Sequence, residues 1–158
     1  MKRKIVEPKA ALERLQDLCA RSEQCSGDIM RKLYNWGVSA SNSAKIVEIL
    51  ERDRYIDDNR FARAFVRDKY RFSGWGRIKI MQHLAAKHID KSIAREALDE
   101  IDEEEYRAIA LKALKTKARI IGDSNTYEGR TKLFRFGAAR GYEAGMLSEL
   151  IKSGKIWE

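Results

Sequence analysis

Arginines at helical spacing are the first candidates for chemistry in this sequence. The spacing i, i+3, i+7 and i+11 places four of them along one face of a helix: Arg60, Arg63, Arg67 and Arg71. The planar fork of an arginine side chain binds phosphate and carboxylate groups alike. A solvated helix face can carry the same spacing, so this stripe alone leaves both interpretations open.

A second basic stripe favours binding. Lys112, Lys115 and Arg119 repeat the spacing i, i+3 and i+7. Positive charge is concentrated around both stripes, because residues 60–91 hold nine basic and two acidic side chains and residues 112–140 hold eight and two. With a net charge of +8, the chain favours an anionic partner. The candidate partner-binding residues are Arg60, Arg63, Arg67, Arg71, Arg77, Lys79, Lys112, Lys115, Arg119, Lys132, Arg135 and Arg140.

Signals for catalysis are weak. His83 and His88 are the only histidines, and a spacing of i, i+5 does not place two metal ligands on one helix face. The segment 74–76 (Gly-Trp-Gly) lacks the preceding strand and the third glycine of a dinucleotide-binding loop. Asp57 and Asp58 are better explained as a helix cap than as a metal pair. We therefore expect no enzyme, no metal and no cofactor.

The sequence also suggests a compartment. No apolar run approaches the roughly 20 residues of a membrane span, and the basic N-terminus lacks the apolar core of a signal peptide. Cys19 and Cys25 are six residues apart, which fits neither a redox pair nor a zinc site. We expect a cytoplasmic monomer with free thiols and no membrane partner.

Helical periodicity runs through the whole sequence and predicts an all-α fold. Helices are expected to begin near Pro8, Gly27, Ser41 or Ser43, Asp57–Asp58, Gly76, Asp90, Asp102, 128 and 143, with a loop over 119–128. In the fourth helix the buried face is expected to hold Phe61, Ala62, Phe65, Val66 and Phe72. Tyr34, Trp36, Phe134 and Phe136 are expected in the core. Trp75 is either a core residue at a repeat junction or an exposed anchor.

Three segments of the sequence align without gaps: 28–39, 79–90 and 132–143. Each has an apolar pair and then a helix stop, at Gly37, His88 and Gly141 respectively. The stops are 51 and 53 residues apart, which predicts tandem three-helix repeats. Small units of this kind share burial with their neighbours, so we expect an elongated or curved array. The predicted segments are an N-terminal tail over 1–8 and repeats over 9–53, 54–101 and 102–158.

The middle segment resembles the central motif of the RecX family. The resemblance is carried by residues 54–58 (Arg-Tyr-Ile-Asp-Asp), Phe61-Ala62-Arg63, Val66-Arg67, Gly76-Arg77-Ile78 and the run from Leu84 to Lys87-His88-Ile89. The three-repeat layout is similar to the family's fold. His88 departs from the motif, because the family usually has glycine there.

The resemblance implies a regulator of bacterial homologous recombination, with roles in DNA repair and the SOS response. RecX proteins bind the RecA filament on single-stranded DNA and inhibit its ATPase, strand-exchange and co-protease activities. On this basis the expected partners are the RecA filament and single-stranded DNA, with the arginines of the motif in contact. A helical DNA-binding protein without a RecA target is the alternative.

Overall fold

The computed structural model describes residues 5–158, so positions 1–4 of the predicted tail lie outside the described residues. Nine α-helices and one 3₁₀ turn, with no strand, form the regular structure of this part of the chain. The all-α prediction is confirmed. The helices are α1 Pro8–Arg21, α2 Ser26–Asn35, α3 Ala40–Arg52, α4 Asp58–Arg71, α5 Arg77–Ala86, α6 Lys91–Asp99, α7 Glu103–Ile121, α8 Tyr127–Ala139 and α9 Ala144–Lys152, followed by the 3₁₀ turn Lys155–Trp157.

Side-chain caps fix several helix starts. The Asp57 carboxylate accepts from the Arg60 N–H at 3.1 Å, and the Asp102 carboxylate accepts from the Glu105 N–H at 2.8 Å. Both agree with the sequence prediction, and each satisfies a donor that a helix start leaves unpaired. The cap of α3 is Ser39, which lies upstream of the predicted start. α7 continues to Ile121, and the predicted 119–128 loop is therefore shorter than expected.

The three predicted helix stops share one geometry. Gly37, His88 and Gly141 all have a positive φ, of 76°, 59° and 93°. The residue after each stop donates its N–H to the carbonyl five positions earlier: Val38 to Leu33, Ile89 to Leu84 and Tyr142 to Gly137. This is the hydrogen-bond pattern of a Schellman C-cap. The stops of the aligned segments are therefore confirmed, including the capping role of His88.

His88 carries a steric cost that glycine would avoid, because its Cβ is held in a left-handed conformation. We expect His88→Gly to raise the free energy of unfolding by about 0.5–1 kcal/mol. Urea denaturation followed by circular dichroism measures the change. Gly37→Ala, at the same position of the first aligned segment, should shift the stability in the opposite direction. A His88→Gly variant less stable than the parent would contradict this account.

The chain divides into two compact units, and unit 1 comprises the residues up to Arg63 together with Leu84–Ala94. Its core is formed by Ala11, Leu15, Ile29, Leu33, Val38, Ile46, Leu50 and Ile56. Asp58 accepts from the N–H and the hydroxyl of Ser26, at 2.8 and 2.5 Å. Asp58 therefore holds the start of α2, whereas the sequence suggested a cap for its own helix.

Unit 2 comprises Ala64–His83 and Arg95–Glu158. Three buried tyrosines, Tyr70, Tyr106 and Tyr142, pack edge to face, with ring centroids 6.4 and 5.6 Å apart. Such contacts add to the free energy gained from burying the rings. The repeat boundaries at 53 and 101 stay a prediction.

A backbone joint lies within unit 2. Gly76 N–H donates to the Arg140 carbonyl at 2.7 Å, and Ile78 N–H donates to the Gly141 carbonyl at 3.1 Å. The Tyr142 hydroxyl also donates to the Gly74 carbonyl, at 2.7 Å. Two segments distant in sequence are thereby held backbone to backbone.

Two predictions of burial are wrong. Phe72 is 84% exposed. It lies one residue beyond the end of α4 at Arg71, so it is not part of the helix whose periodicity placed it in the core. Tyr34 is 74% exposed, whereas Trp36, Phe134 and Phe136 are half-buried. No helix in the described part of the chain is both long and apolar enough to cross a bilayer.

Candidate partner-binding surfaces

The two ends of the α4 arginine stripe are occupied by contacts within the chain. Arg60 donates to Glu23 at 2.7 Å and to the Tyr55 carbonyl at 3.2 Å. Arg71 makes two hydrogen bonds to Glu105, at 2.7 and 3.2 Å. These guanidinium groups stabilise their own surroundings, so they are less available to a partner than the spacing suggested.

The two middle arginines are different. Arg63 and Arg67 are exposed, and neither side chain makes a hydrogen bond or an ion pair with another described residue. They are four residues apart on α4, which is about one helical turn. With no such partner among the described residues, each guanidinium is available to bind a carboxylate or phosphate group in bidentate geometry.

Arg77 is half-buried and lies inside a polar network of unit 2. Its guanidinium donates to Glu103 at 2.5 Å and to Glu143 at 3.0 Å, and it lies 4.1 Å above the Tyr106 ring. The Arg77 N–H donates to the Tyr106 hydroxyl at 3.0 Å, and that hydroxyl donates to Glu143 at 2.5 Å. Burial, and then the Glu143 carboxylate, raise the pKa of Tyr106. Arg77 therefore has a structural role within unit 2, which the sequence did not indicate.

Trp75 is half-buried and surrounded by side chains of unit 2. The ammonium groups of Lys69 and Lys79 lie 4.7 and 4.5 Å from its ring centroid. The His83 ring lies at 4.4 Å, and Phe65 packs edge-on at 6.3 Å. Lys79 therefore covers Trp75 instead of extending freely into solvent. Trp75 is half-buried, which lies between the two predictions of a core residue and an exposed anchor.

A groove of about 400 Å³ lies in unit 2 between α7, α8 and the residues that follow α4. Its basic lining residues are Arg71, Lys112, Lys117 and Arg140, and its large apolar ones are Phe72, Ile109, Ile120 and Phe136. A neighbouring depression shares Lys117, Ile120 and Phe136 and adds Lys132 and Arg135. No carboxylate of the described residues lines either part. Together these two parts are called the α7–α8 groove.

Only some of the predicted basic residues line the groove. Lys115 and Arg119 line neither part of it, although the stripe spacing grouped them with Lys112. Lys117 does line it, and the sequence prediction missed this residue. The spacing of Ile109, Ala113 and Ile120 could have located the face, because these apolar residues recur at helical intervals.

Within residues 5–158, no cluster of three or more histidine, cysteine or carboxylate side chains is arranged to hold a metal ion. The buried thiol of Cys25 has its pKa raised to about 11, mainly by burial. A thiol that stays protonated is a poor nucleophile.

Residues 57–98 match the family described as "RecX, second three-helix domain". The chain is 27% identical over 140 residues to "Regulatory protein RecX" of Clostridium botulinum (strain Alaska E43 / Type E3), which covers 87% of this chain and 65% of that protein. It is 25% identical over 144 residues to the protein of the same name from Amycolatopsis mediterranei (strain U-32), which covers 91% and 82%. The chain thus spans just under two thirds of the Clostridium botulinum relative.

A solved structure has the same fold. The crystal structure of RecX from Lactobacillus salivarius superposes with a TM-score of 0.81 and covers 92% of this chain and 95% of that one, at 18% identity. The chain is thus similar to RecX proteins in sequence, with the family model matching residues 57–98, and it shares their fold. The matched RecX segment begins at the Asp57 cap and includes Arg63, Arg67 and His88. The two free arginines of α4 therefore lie within the part of the chain that the family match covers.

Proposed function

We propose that this chain is a negative modulator of the RecA recombinase that binds the RecA filament on single-stranded DNA. In this role it inhibits the filament's ATPase, strand-exchange and co-protease activities. Similarity to proteins that are named "Regulatory protein RecX" supports a regulatory role. The choice of contact residues rests on one observation: Arg63 and Arg67 are exposed and have no hydrogen-bond or ion-pair partner among the described residues.

The chemistry of these arginines suits a nucleoprotein filament. A filament on DNA presents both carboxylates and phosphates, and the guanidinium fork binds either group. Exposed arginines without partners have no internal ion pair to break when they bind. A filament repeats its surface, so modest contacts along it gain from multivalency. The proposed species is a cytoplasmic monomer that contacts the filament through α4, with single-stranded DNA as an additional contact.

Reversing the charge of the two free arginines tests the proposal. We expect Arg63→Glu/Arg67→Glu to raise the concentration that half-inhibits DNA-dependent RecA ATPase at least tenfold, about 1.4 kcal/mol of binding free energy. Both side chains are exposed, so helical circular dichroism should be unchanged. The matched control is Lys45→Glu/Arg95→Glu, which alters net charge equally at two other exposed positions.

Two results would contradict the proposal. One is undiminished inhibition by the Arg63→Glu/Arg67→Glu variant, or an equal loss in the control. The other is tight binding to DNA without RecA, steeply weakened by salt, together with no effect on the RecA ATPase. That second result would support the alternative of a DNA-binding protein without a RecA target.

A further inference from the structure

We infer that the α7–α8 groove binds an acidic peptide segment of a partner protein, in which carboxylates are interspersed with apolar side chains. This site is distinct from the free arginines of α4, and its assignment does not depend on the RecA proposal. The groove lies entirely within unit 2.

The charge of the groove calls for an anionic ligand. Six basic residues line its two parts: Arg71, Lys112, Lys117, Lys132, Arg135 and Arg140. Arg71 is the one of these six that forms an ion pair within the described residues, with Glu105. The other five have no neutralising carboxylate there, so their positive potentials add within one concave surface. A ligand that carries several carboxylates would relieve this repulsion.

The apolar part of the groove calls for apolar side chains. Ile120 is 73% exposed, Phe72 is largely exposed, and both line the same cavity as Ile109 and Ala113. A contiguous apolar patch inside a basic rim is typical of an interaction site. Covering it gains roughly 25 cal/mol per Å² of apolar surface removed from water. A ligand that bound through charges alone would leave the apolar patch exposed to water.

A peptide fits this lining better than single-stranded nucleic acid. Sequence-tolerant binding of a single strand uses a series of aromatic rings on which successive bases stack. Here the apolar residues that α7 contributes to the groove are aliphatic: Ile109, Ala113 and Ile120. The Phe136 ring already has the Lys117 ammonium at 5.5 Å and the Arg140 guanidinium at 4.7 Å from its centroid. Phe72 is the remaining ring, so the groove offers one platform and not a series.

A direct binding experiment uses the intact chain and a short fluorescein-labelled peptide in which glutamate and leucine alternate. We expect saturable binding by fluorescence polarisation. Lys112→Glu/Lys117→Glu should weaken it at least tenfold, and Ile120→Ser should weaken it several-fold. The control Lys115→Glu/Arg119→Glu has the same charge change on the same helix outside the groove, and it should alter affinity less than twofold. Circular dichroism verifies that all variants are folded.

Companion ligands separate the possible outcomes. A peptide with leucine replaced by serine, and one with glutamate replaced by glutamine, should both bind weakly. Two results would overturn the proposal, because each would show that binding is general charge attraction. One is an equal loss of peptide affinity in the two double variants, and the other is full affinity for the serine peptide. A thymidine oligonucleotide of equal length is the third ligand. If it bound more tightly than the peptide, and if Lys112→Glu/Lys117→Glu abolished that binding, the groove would be a nucleic-acid site and the proposal would be overturned. RecA inhibition plays no part in these measurements, so either proposal can fail alone.

Discussion

Replacing Gly76 by alanine is expected to destabilise unit 2 by about 3 kcal/mol or more, the upper part of the range for overpacked sites. A Cβ at this position would lie 2.2 Å from the Gly141 carbonyl group and 2.3 Å from the Tyr142 nitrogen. These are backbone atoms, so no rotamer change can remove the clash. The two segments would have to separate, which would break the hydrogen bond from Gly76 N–H to the Arg140 carbonyl.

Urea denaturation of Gly76→Ala measures this cost against a matched control. Gly145 lies in α9, and a Cβ there meets nothing within 4 Å. Gly145→Ala should therefore be neutral or stabilising by up to about 1 kcal/mol, because alanine restricts the unfolded chain. Equal stability of the two variants would show that the joint between residues 76 and 141 is not close-packed.

Removing the carboxylate of Glu143 is the second large expected effect. Glu143→Ala leaves the Tyr106 hydroxyl without its acceptor and deprives Arg77 of one of its two ion pairs. Unpaired polar groups in a partly buried setting cost about 1–3 kcal/mol each, and we expect about 2–3 kcal/mol in total. Since Glu143 contributes to the raised pKa of Tyr106, that pKa should fall in the variant while burial keeps it above its usual value.

Two measurements check the Glu143 prediction. Urea denaturation gives the loss of stability, and ultraviolet absorbance during a pH titration reports tyrosine deprotonation. Glu149→Ala is the control, because Glu149 pairs with Arg107 at an exposed position, and exposed pairs contribute about 0–1 kcal/mol. A Glu143→Ala variant no less stable than Glu149→Ala would mean that the network does not hold unit 2 together.

Features local to one helix were predictable from the sequence. Periodicity located the helices, and residue types at their ends located the Asp57 and Asp102 caps. The aligned stops at Gly37, His88 and Gly141 were predictable because a positive φ is a local requirement of the backbone. Local physics governs each of these features, so no knowledge of the tertiary structure was needed.

Contacts between distant residues were not predictable. Arg77 and Glu143 are 66 positions apart, and Ser26 and Asp58 are 32 apart. Helical spacing gives the face on which a side chain lies, but not which element covers that face. For this reason helical spacing placed Phe72 in the core and Arg77 among the partner-binding residues, and it gave no indication of Lys117. The composition of the groove emerges only when α7 and α8 are brought side by side.

The backbone joint has a consequence for the integrity of a cleaved chain. It connects the segment after α4 to the segment after α8, and the loop 122–126 lies between these in sequence. A protease that cuts this loop severs one peptide bond but none of the three hydrogen bonds at Gly74, Gly76 and Ile78. The two fragments should therefore remain associated under native conditions and separate only in denaturant.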